Sequence, residues 1–238
     1  MYADNSPADP STKDRARMPD YTAPQRDRVA LLTVNAQQDF TIQGSPLRSC
    51  GVGSAVASMR RLVEGFRDRG MPIFHAVRLY RPDGSNVDNF RREAVEEGLR
   101  VLMPGTSGAE LIDEIQPKQR VRLDPHRLLT GDPQPVNGKE WAVYKPRWGA
   151  FHDTSLDALL RELEINTLVL CGCNYDTSGR ATIYEAGARD YRVVLVPDAM
   201  TGIGEGAVGD MGRIGVYAMA AETCLDWLDS GSSSSAAA

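Results

Sequence analysis

The fold of this chain is decided by one stretch: Thr167-Leu-Val-Leu-Cys171-Gly172-Cys-Asn-Tyr-Asp-Thr177-Ser178-Gly-Arg180. Its first five residues form a short apolar run, which is typical of a strand buried on both faces. A glycine turn follows, and a helix is predicted from Ser178 to Tyr191. A turn of this kind points a side chain into a site and leaves backbone N–H groups free to hold an anion.

The same alternation of strand and helix continues on both sides of this stretch. Further strands are predicted at 29–34, 72–77, 141–144 and 192–196, and further helices at 54–69, 87–99, 155–163 and 212–228. Gly70 is expected to end the first helix and Thr154 to cap the third. The pattern predicts an α/β fold, a single-domain, doubly wound, mostly parallel sheet flanked by helices. In that architecture, ligands bind beyond the carboxyl ends of the strands.

Composition predicts three parts in the chain of 238 residues, which carries a net charge of −5. Residues 1–28 are predicted to be a flexible arm, residues 29–229 the folded domain, and residues 230–238 a disordered Ser/Ala tail. The basic residues form no run, which argues against nucleic acid or an anionic membrane as partner. No apolar segment is long enough to span a bilayer and no signal peptide is visible, so we expect a cytoplasmic protein that acts on a small molecule.

Polar motifs follow three of the predicted strands. Asn35-Ala-Gln-Gln-Asp-Phe40 follows the first, Lys145-Pro-Arg-Trp-Gly-Ala-Phe151 the third, and the turn quoted above the fourth. In this order they resemble the motifs of the isochorismatase-like (cysteine hydrolase) superfamily, over roughly Arg28 to Trp227. The chain is identified as a divergent member of that superfamily.

The resemblance implies a catalytic triad with two altered members. The family uses an aspartate to take a thiol proton, a lysine to hold the charged pair and a cysteine to attack a carbonyl, usually of an amide. The aligned residues here are Asn35, Lys145 and Ser178. The resemblance also implies a cis peptide between Cys173 and Asn174, an oxyanion hole formed by the N–H groups of Asn174 and Ser178, and a homo-oligomer, either dimer or tetramer.

The two substitutions leave several chemistries open. Asn35 cannot accept a proton as a carboxylate does, and a serine nucleophile needs a strong base. Removing the negative charge at position 35 should lower the pKa of Lys145, which could then serve Ser178 as a neutral base. Vinyl-ether cleavage needs no cysteine in this family, but it uses the aspartate that is missing here. Cyclisation, isomerisation or a Schiff base on Lys145 is a further route.

We therefore expect a divergent enzyme, with Lys145 central, that acts on an amide, a vinyl ether or an intermediate of specialised metabolism. The alternative is a catalytically silent member that serves as a binding or partner protein. A pocket filled by an aromatic side chain of the site would favour the second reading.

Other residues near the strand ends are candidates for binding the substrate. Arg78, Arg147 or Arg180 could hold a carboxylate, and Asp176 could replace the lost acid or cap a helix. An aromatic wall is expected from Phe40, Tyr80, Trp148 and Tyr175. Asp39 is expected to be structural and His75 to be a core residue.

The sequence gives no pattern for a metal or a cofactor. The nicotinamidase branch of the superfamily binds a metal through Asp-x-His and a second histidine, and His75, His126 and His152 do not have that spacing. The cysteines also lack the spacing of a zinc site and are expected to be buried and reduced. No cofactor and no metal are expected.

Overall fold

The computed structural model describes residues 20–49 and 51–230. Its strands are β1 (Val29–Val34), β2 (Ile73–Val77), β3 (Gln134–Pro135), β4 (Glu140–Tyr144), β5 (Thr167–Gly172), β6 (Arg192–Met200) and β7 (Tyr217–Ala218). Its α-helices are α1 (Val52–Asp68), α2 (Asn89–Glu96), α3 (Pro125–Leu129), α4 (Leu156–Glu162), α5 (Arg180–Gly187), α6 (Ala207–Arg213) and α7 (Ala221–Asp229).

The strands form one sheet in the order β3-β4-β2-β1-β5-β6-β7. All neighbours are parallel except β3, which runs antiparallel to β4 at one edge. Every residue of β1 is buried, and its side chains alternate between two apolar clusters, with Leu31 in one and Leu32 in the other. The predicted doubly wound, mostly parallel α/β fold is confirmed.

The strand order creates a switch point at β1. The chain moves from β1 outward to β2 and β4, and then returns to place β5 on the other side of β1. Crevices form where the winding direction reverses, at the carboxyl ends of the strands. The residues that follow β1 and β5 therefore face one another.

The prediction of one closing helix over 212–228 is wrong. α6 ends at Arg213, β7 follows at residues 217–218, and only then does α7 begin. Gly215, at φ +86°, takes the left-handed conformation that breaks a helix. The predicted helix over 178–191 also differs, because Tyr175–Gly179 form a π-helical turn and α5 ends at Gly187.

The helix ends agree in part with the sequence. Gly70 follows α1 with φ +61°, as a C-terminal glycine should. The residue before α4 is Ser155 rather than the predicted Thr154, although Thr154 Oγ1 accepts the N–H of Leu156 at 3.4 Å.

The strands β3 and β7 are each two residues long, which is too short for an apolar pattern to reveal them in the sequence.

Most of the predicted arm and tail, residues 1–19 and 231–238, lies outside the described residues. Within the described end of the arm, the N–H of Gln25 donates to Thr167 Oγ1 at 3.0 Å, and Arg28 Nε donates to the carbonyl of Glu164 at 2.7 Å. In the part of the chain that the structure describes, no helix is both long enough and apolar enough to cross a bilayer.

A buried polar network joins α1 to the sheet. Glu140 accepts two hydrogen bonds from Arg67, at 2.6 and 2.9 Å, and Nε2 of His75 lies 2.7 Å from its Oε1. The other ring nitrogen of His75 lies 2.8 Å from Thr33 Oγ1. Burial raises the pKa of Glu140, but the hydrogen bonds from His75 and Arg67 outweigh it and lower the pKa to about 2. His75 is thus a core residue held by partners on both ring nitrogens.

This network predicts an acid-dependent contribution to stability. The ionised form of Glu140 stabilises the fold above its ordinary pKa of 4.5, and the contribution is lost as the pH falls toward 2. Glu140→Gln should therefore lower the free energy of unfolding by about 3 kcal/mol at pH 7. The loss should shrink between pH 4.5 and 3 in urea titrations. The exposed control Glu162→Gln should change little, and a loss for Glu140→Gln that is equal at pH 7 and pH 3 would contradict the assignment.

Candidate active site

The site begins where the backbones of β1 and β5 meet. Gly172 has φ +128°, and a Cβ atom there would lie 2.1 Å from the carbonyl oxygen of Val34. Only glycine allows this approach, and it lets the N–H of Cys173 donate to the same oxygen at 2.7 Å. The residues after both strands are thereby fixed relative to each other.

Asn35 links the two strand ends through its side chain. Its backbone is left-handed at φ +51°, a conformation that asparagine tolerates. Its Nδ2 donates to the carbonyl of Cys173 at 2.7 Å and to Ser178 Oγ at 2.9 Å. Because a carbonyl only accepts, the orientation of the amide is determined. The other amide atom, Oδ1, is buried and has no hydrogen-bond partner among the described residues.

The turn after β5 carries the serine. The peptide bond between Cys173 and Asn174 is cis, as the resemblance implied. Asn174 is held on both sides, because Thr201 Oγ1 donates to its Oδ1 at 2.9 Å and the N–H of Gly179 donates to its carbonyl at 2.9 Å. Ser178 lies in the π-helical turn, and its carbonyl accepts from Thr182 Oγ1 at 2.7 Å. Ser178 itself is 3% exposed.

Lys145 reaches this serine from the end of β4. Its side chain is wholly buried, and Nζ lies 2.9 Å from the carbonyl of Trp148, 3.1 Å from that of Arg147 and 3.3 Å from Ser178 Oγ. Burial, followed by the positive charge of Arg78, holds the pKa of Lys145 well below its ordinary value.

Lys145 Nζ has three hydrogen-bond partners, all of them oxygen atoms. Nζ donates to the carbonyls of Arg147 and Trp148 and to Ser178 Oγ. With one proton lost, two N–H groups would remain for the two carbonyls, and a lone pair would face Ser178 Oγ. The serine oxygen can then accept from Asn35 while its own proton is directed to Lys145. The three residues aligned on the family triad form one connected set of hydrogen bonds.

The other predicted pocket residues are more scattered. Phe40 and Tyr175 lie in the two apolar clusters, and the Tyr175 hydroxyl donates to the carbonyl of Ala207 at 3.4 Å. Asp176 is exposed, and Trp148 is half-buried with its ring stacked on Phe90 at 4.7 Å between centroids.

Asp39 has structural contacts. Its Oδ2 accepts the N–H of Leu102 at 2.5 Å. A Cβ atom at Gly108 would fall 2.2 Å from its Oδ1, so the chain packs tightly against this carboxylate.

A second buried cluster lies at the end of β2, between β1 and β4. Arg78 pairs with Asp88 through Nη2 and Oδ2 at 2.7 Å, and the Tyr80 hydroxyl lies 3.2 Å from the same carboxylate oxygen. Gln37 holds the backbone of Arg78 from both sides: its Oε1 accepts the N–H at 2.7 Å and its Nε2 donates to the carbonyl at 2.8 Å.

Sequence reasoning assigned no role to Gln37 or Asp88. Gln37 lies in the polar motif that follows the first strand, between Asn35 and Phe40, so its place in that motif is a signal that the sequence offers. Asp88 only precedes a charged helix, and nothing in the sequence marks it as the partner of Arg78.

A cavity of about 410 Å³ adjoins the site, and its walls include Asp88, Phe90, Arg147, Trp148, His152 and Glu185. Arg147 and Trp148, whose carbonyls hold Lys145 Nζ, lie in its wall, whereas Lys145 and Ser178 do not. A larger cavity of about 770 Å³, lined by residues such as Tyr184 and Ile214, contains none of the predicted site residues. Across residues 20–49 and 51–230, no group of three or more His, Cys, Asp or Glu side chains is arranged to hold a metal ion.

The comparisons of this chain with known proteins agree on one family. The sequence profile of the isochorismatase domain matches residues 29–212. A probable inactive nicotinamidase of Arabidopsis thaliana is 29% identical over 194 residues, covering 79% of this chain and 90% of the relative. The maleamate amidohydrolase of Pseudomonas putida is 26% identical over 174 residues, covering 73% and 72%.

A solved structure agrees with these sequence matches. The crystal structure of an isochorismatase family protein from Desulfovibrio vulgaris superposes with a TM-score of 0.71 at 29% identity. The match covers 85% of this chain and 98% of that protein.

The burial of Lys145 predicts a pH dependence in the alkaline range. Because the pKa of Lys145 is lowered in the folded chain, the unfolded chain binds more protons at pH values between the folded and the unfolded pKa. The free energy of unfolding should therefore rise as the pH rises toward the ordinary lysine pKa of 10.5. Lys145→Met removes this pH dependence, so the free energy of unfolding of the wild type minus that of the variant should rise from pH 7 to pH 10. Guanidinium titrations measure it. The exposed control Lys139→Met should show no such trend, and a constant difference for Lys145→Met would mean that the amine is charged.

Proposed function

This chain belongs to the isochorismatase family, and we propose that it hydrolyses a small amide with Ser178 as nucleophile and Lys145 as its base. One observation carries the proposal: Ser178 Oγ lies 3.3 Å from a wholly buried Nζ whose N–H groups are taken up by two backbone carbonyls. A lysine that is neutral at physiological pH can accept the serine proton, as the aspartate carboxylate of the family accepts the thiol proton.

The reaction follows from this arrangement. Ser178 Oγ forms a bond to the amide carbonyl carbon while its proton moves to Lys145 Nζ. The tetrahedral intermediate collapses, the C–N bond breaks, and Lys145 returns the proton to the leaving amine. Water then attacks the acyl-serine with Lys145 again as base, which releases a carboxylic acid and restores Ser178.

Asn35 has a positioning role in this scheme. Its Nδ2 donates to Ser178 Oγ at 2.9 Å and so directs the serine proton away from itself and toward Lys145. The backbone N–H groups of Asn174 and Ser178 would hold the developing oxyanion. Preorganised donors of this kind contribute roughly 3–4 kcal/mol each to an acyl-transfer barrier.

The relatives support an amide as the substrate class. The maleamate amidohydrolase of Pseudomonas putida acts on an amide by its name. Vinyl-ether cleavage would need an acid at position 35, and the side chain there is an amide. A Schiff base would need Lys145 to leave its two carbonyl partners and Ser178.

A catalytically silent protein is the second candidate, and one observation favours it. The Arabidopsis thaliana relative is described as a probable inactive nicotinamidase. Under this alternative, the crevice is stabilised by a buried polar network of Ser178, Lys145 and Asn35, and the protein binds a small molecule or a partner.

Labelling with a serine-directed fluorophosphonate separates the two candidates without knowledge of the substrate. We expect one adduct, located at Ser178 by mass spectrometry, with a rate that rises with pH and levels off below the ordinary lysine pKa as Lys145 loses its proton. Lys145→Met should slow labelling about 100-fold or more, because a general base contributes at least that factor. The exposed control Ser54→Ala should label normally. Absence of an adduct at Ser178 would support the silent protein.

Asn35→Asp provides a counter-intuitive test. The change restores the family residue, but a carboxylate beside Lys145 raises its pKa and keeps it charged. We expect labelling at pH 7 to fall at least tenfold, with partial recovery at higher pH. Faster labelling of Asn35→Asp would show that the aspartate, rather than neutral Lys145, activates the nucleophile at position 178.

The double variant Asn35→Asp, Ser178→Cys should regain hydrolysis of simple amides if the pocket still admits them.

A further inference from the structure

Arg78 is a buried cation that the fold holds in a fixed place. Its side chain is 2% exposed, and Nη2 contacts Asp88 Oδ2 at 2.7 Å and the Tyr80 hydroxyl at 3.1 Å. Gln37 binds the backbone of Arg78 from both sides, and its Nε2 also donates to the carbonyl of Ala109 at 2.6 Å. The guanidinium therefore has little freedom to turn toward solvent.

The register of the sheet places Arg78 beside Lys145. Val77 of β2 pairs with Tyr144 of β4, and the N–H of Lys145 donates to the carbonyl of Val77 at 2.9 Å. Arg78 and Lys145 are the next residues of these two paired strands, and both side chains are buried. Arginine keeps its proton in proteins, whereas a buried lysine amine releases its proton when its surroundings disfavour the cation. Of these two neighbouring basic groups, only Lys145 can become neutral.

Charged groups face Lys145 from several elements. Arg78 follows β2, Asp88 directly precedes α2, Arg91 lies in α2, and Glu185 lies on α5. Burial lowers the pKa of Lys145 most, and the positive charge of Arg78 comes next. The carboxylates of Asp88 and Glu185 raise that pKa, and the charge of Arg91 has a smaller lowering effect. Removal of Arg78 is therefore the single charge change that should alter the proton state of Lys145 most.

We infer that Arg78 is a positioning residue of the proposed reaction, which acts through Lys145 by keeping its amine neutral. Asp88 holds the guanidinium of Arg78 in place. Asn35 and Ser178, the polar groups on the β1 and β5 sides of the site, bring no charge that would offset the guanidinium. Repulsion between two buried cations is strong, because water and salt screen it little.

The inference rests on the proposed function for the use of the neutral amine as a base. The proton state of Lys145 is itself a property of the folded chain, and it can be measured without turnover.

Nuclear magnetic resonance of the lysine Cε atoms measures that proton state directly. The signal that disappears in Lys145→Met belongs to Lys145, and only four lysines have to be distinguished: Lys13, Lys118, Lys139 and Lys145. We expect the titration midpoint of Lys145 to move to higher pH in Arg78→Gln and to lower pH in Asp88→Asn. The exposed control Arg81→Gln, which also loses one positive charge, should leave the midpoint in place.

The opposite directions distinguish an electrostatic role of Arg78 from a structural one. Arg78→Gln and Asp88→Asn break the same ion pair, so structural damage alone would act alike in both variants. The rate of fluorophosphonate labelling at Ser178 should follow the same titration. At the pH of the wild-type midpoint, that rate should fall at least about three-fold in Arg78→Gln, whereas the plateau rate at higher pH should be retained.

Two outcomes would overturn the inference: a midpoint that does not rise in Arg78→Gln, or midpoints that move in the same direction in both variants. If Arg78→Gln does not fold by circular dichroism, Asp88→Asn decides alone, and a midpoint that does not fall in this variant overturns the inference. Failure of the proposed function has a different signature. In that case Ser178 gives no adduct with the fluorophosphonate, while the Lys145 signal still responds to both variants.

Discussion

The close approach of two backbones, at Gly172 and Val34, is the constraint on which the site depends. It places the N–H of Cys173 on the carbonyl of Val34 at 2.7 Å, and a side chain at position 172 would collide with that carbonyl. Asn35 and Ser178 are 143 residues apart in the chain, yet the joined strand ends bring their side chains to 2.9 Å. The chemistry proposed for Ser178 depends on this contact.

The three residues of the triad positions make sense only together. In the family pattern, a carboxylate and an ammonium group balance each other beside a thiol. Here the carboxylate is an amide, so a charged Lys145 would be a buried cation with neutral partners, which costs several kcal/mol. Loss of its proton would remove that cost and, in the proposed mechanism, leave a base next to the serine hydroxyl. In the proposed mechanism, the amide at position 35 thus changes the chemistry available at position 178 without contact with a substrate.

The sequence predicts the central sheet well, because buried parallel strands are continuous apolar runs. The polar motifs follow these strands directly, and the structure brings Asn35 and Lys145 within hydrogen-bond distance of Ser178. Prediction from the sequence fails where a single backbone conformation decides the outcome. Gly215 breaks what the apolar periodicity presents as one helix, and the π-helical turn at Tyr175–Gly179 carries Tyr175 into the core although its position suggests a pocket wall. The pairing of Arg78 with Asp88 depends on the path of the loop between β2 and α2, which no local pattern encodes.

In the segment after β4, the main chain and the side chains of the same two residues have different contacts. Arg147 and Trp148 hold Lys145 through their main-chain carbonyls, while their side chains line the neighbouring cavity. A main-chain acceptor is present whatever side chain stands there. The cavity wall can therefore be altered by substitution, in evolution or in the laboratory, while Lys145 Nζ keeps both of its main-chain acceptors. Under the proposed function, the substrate range could therefore change without loss of the proposed base.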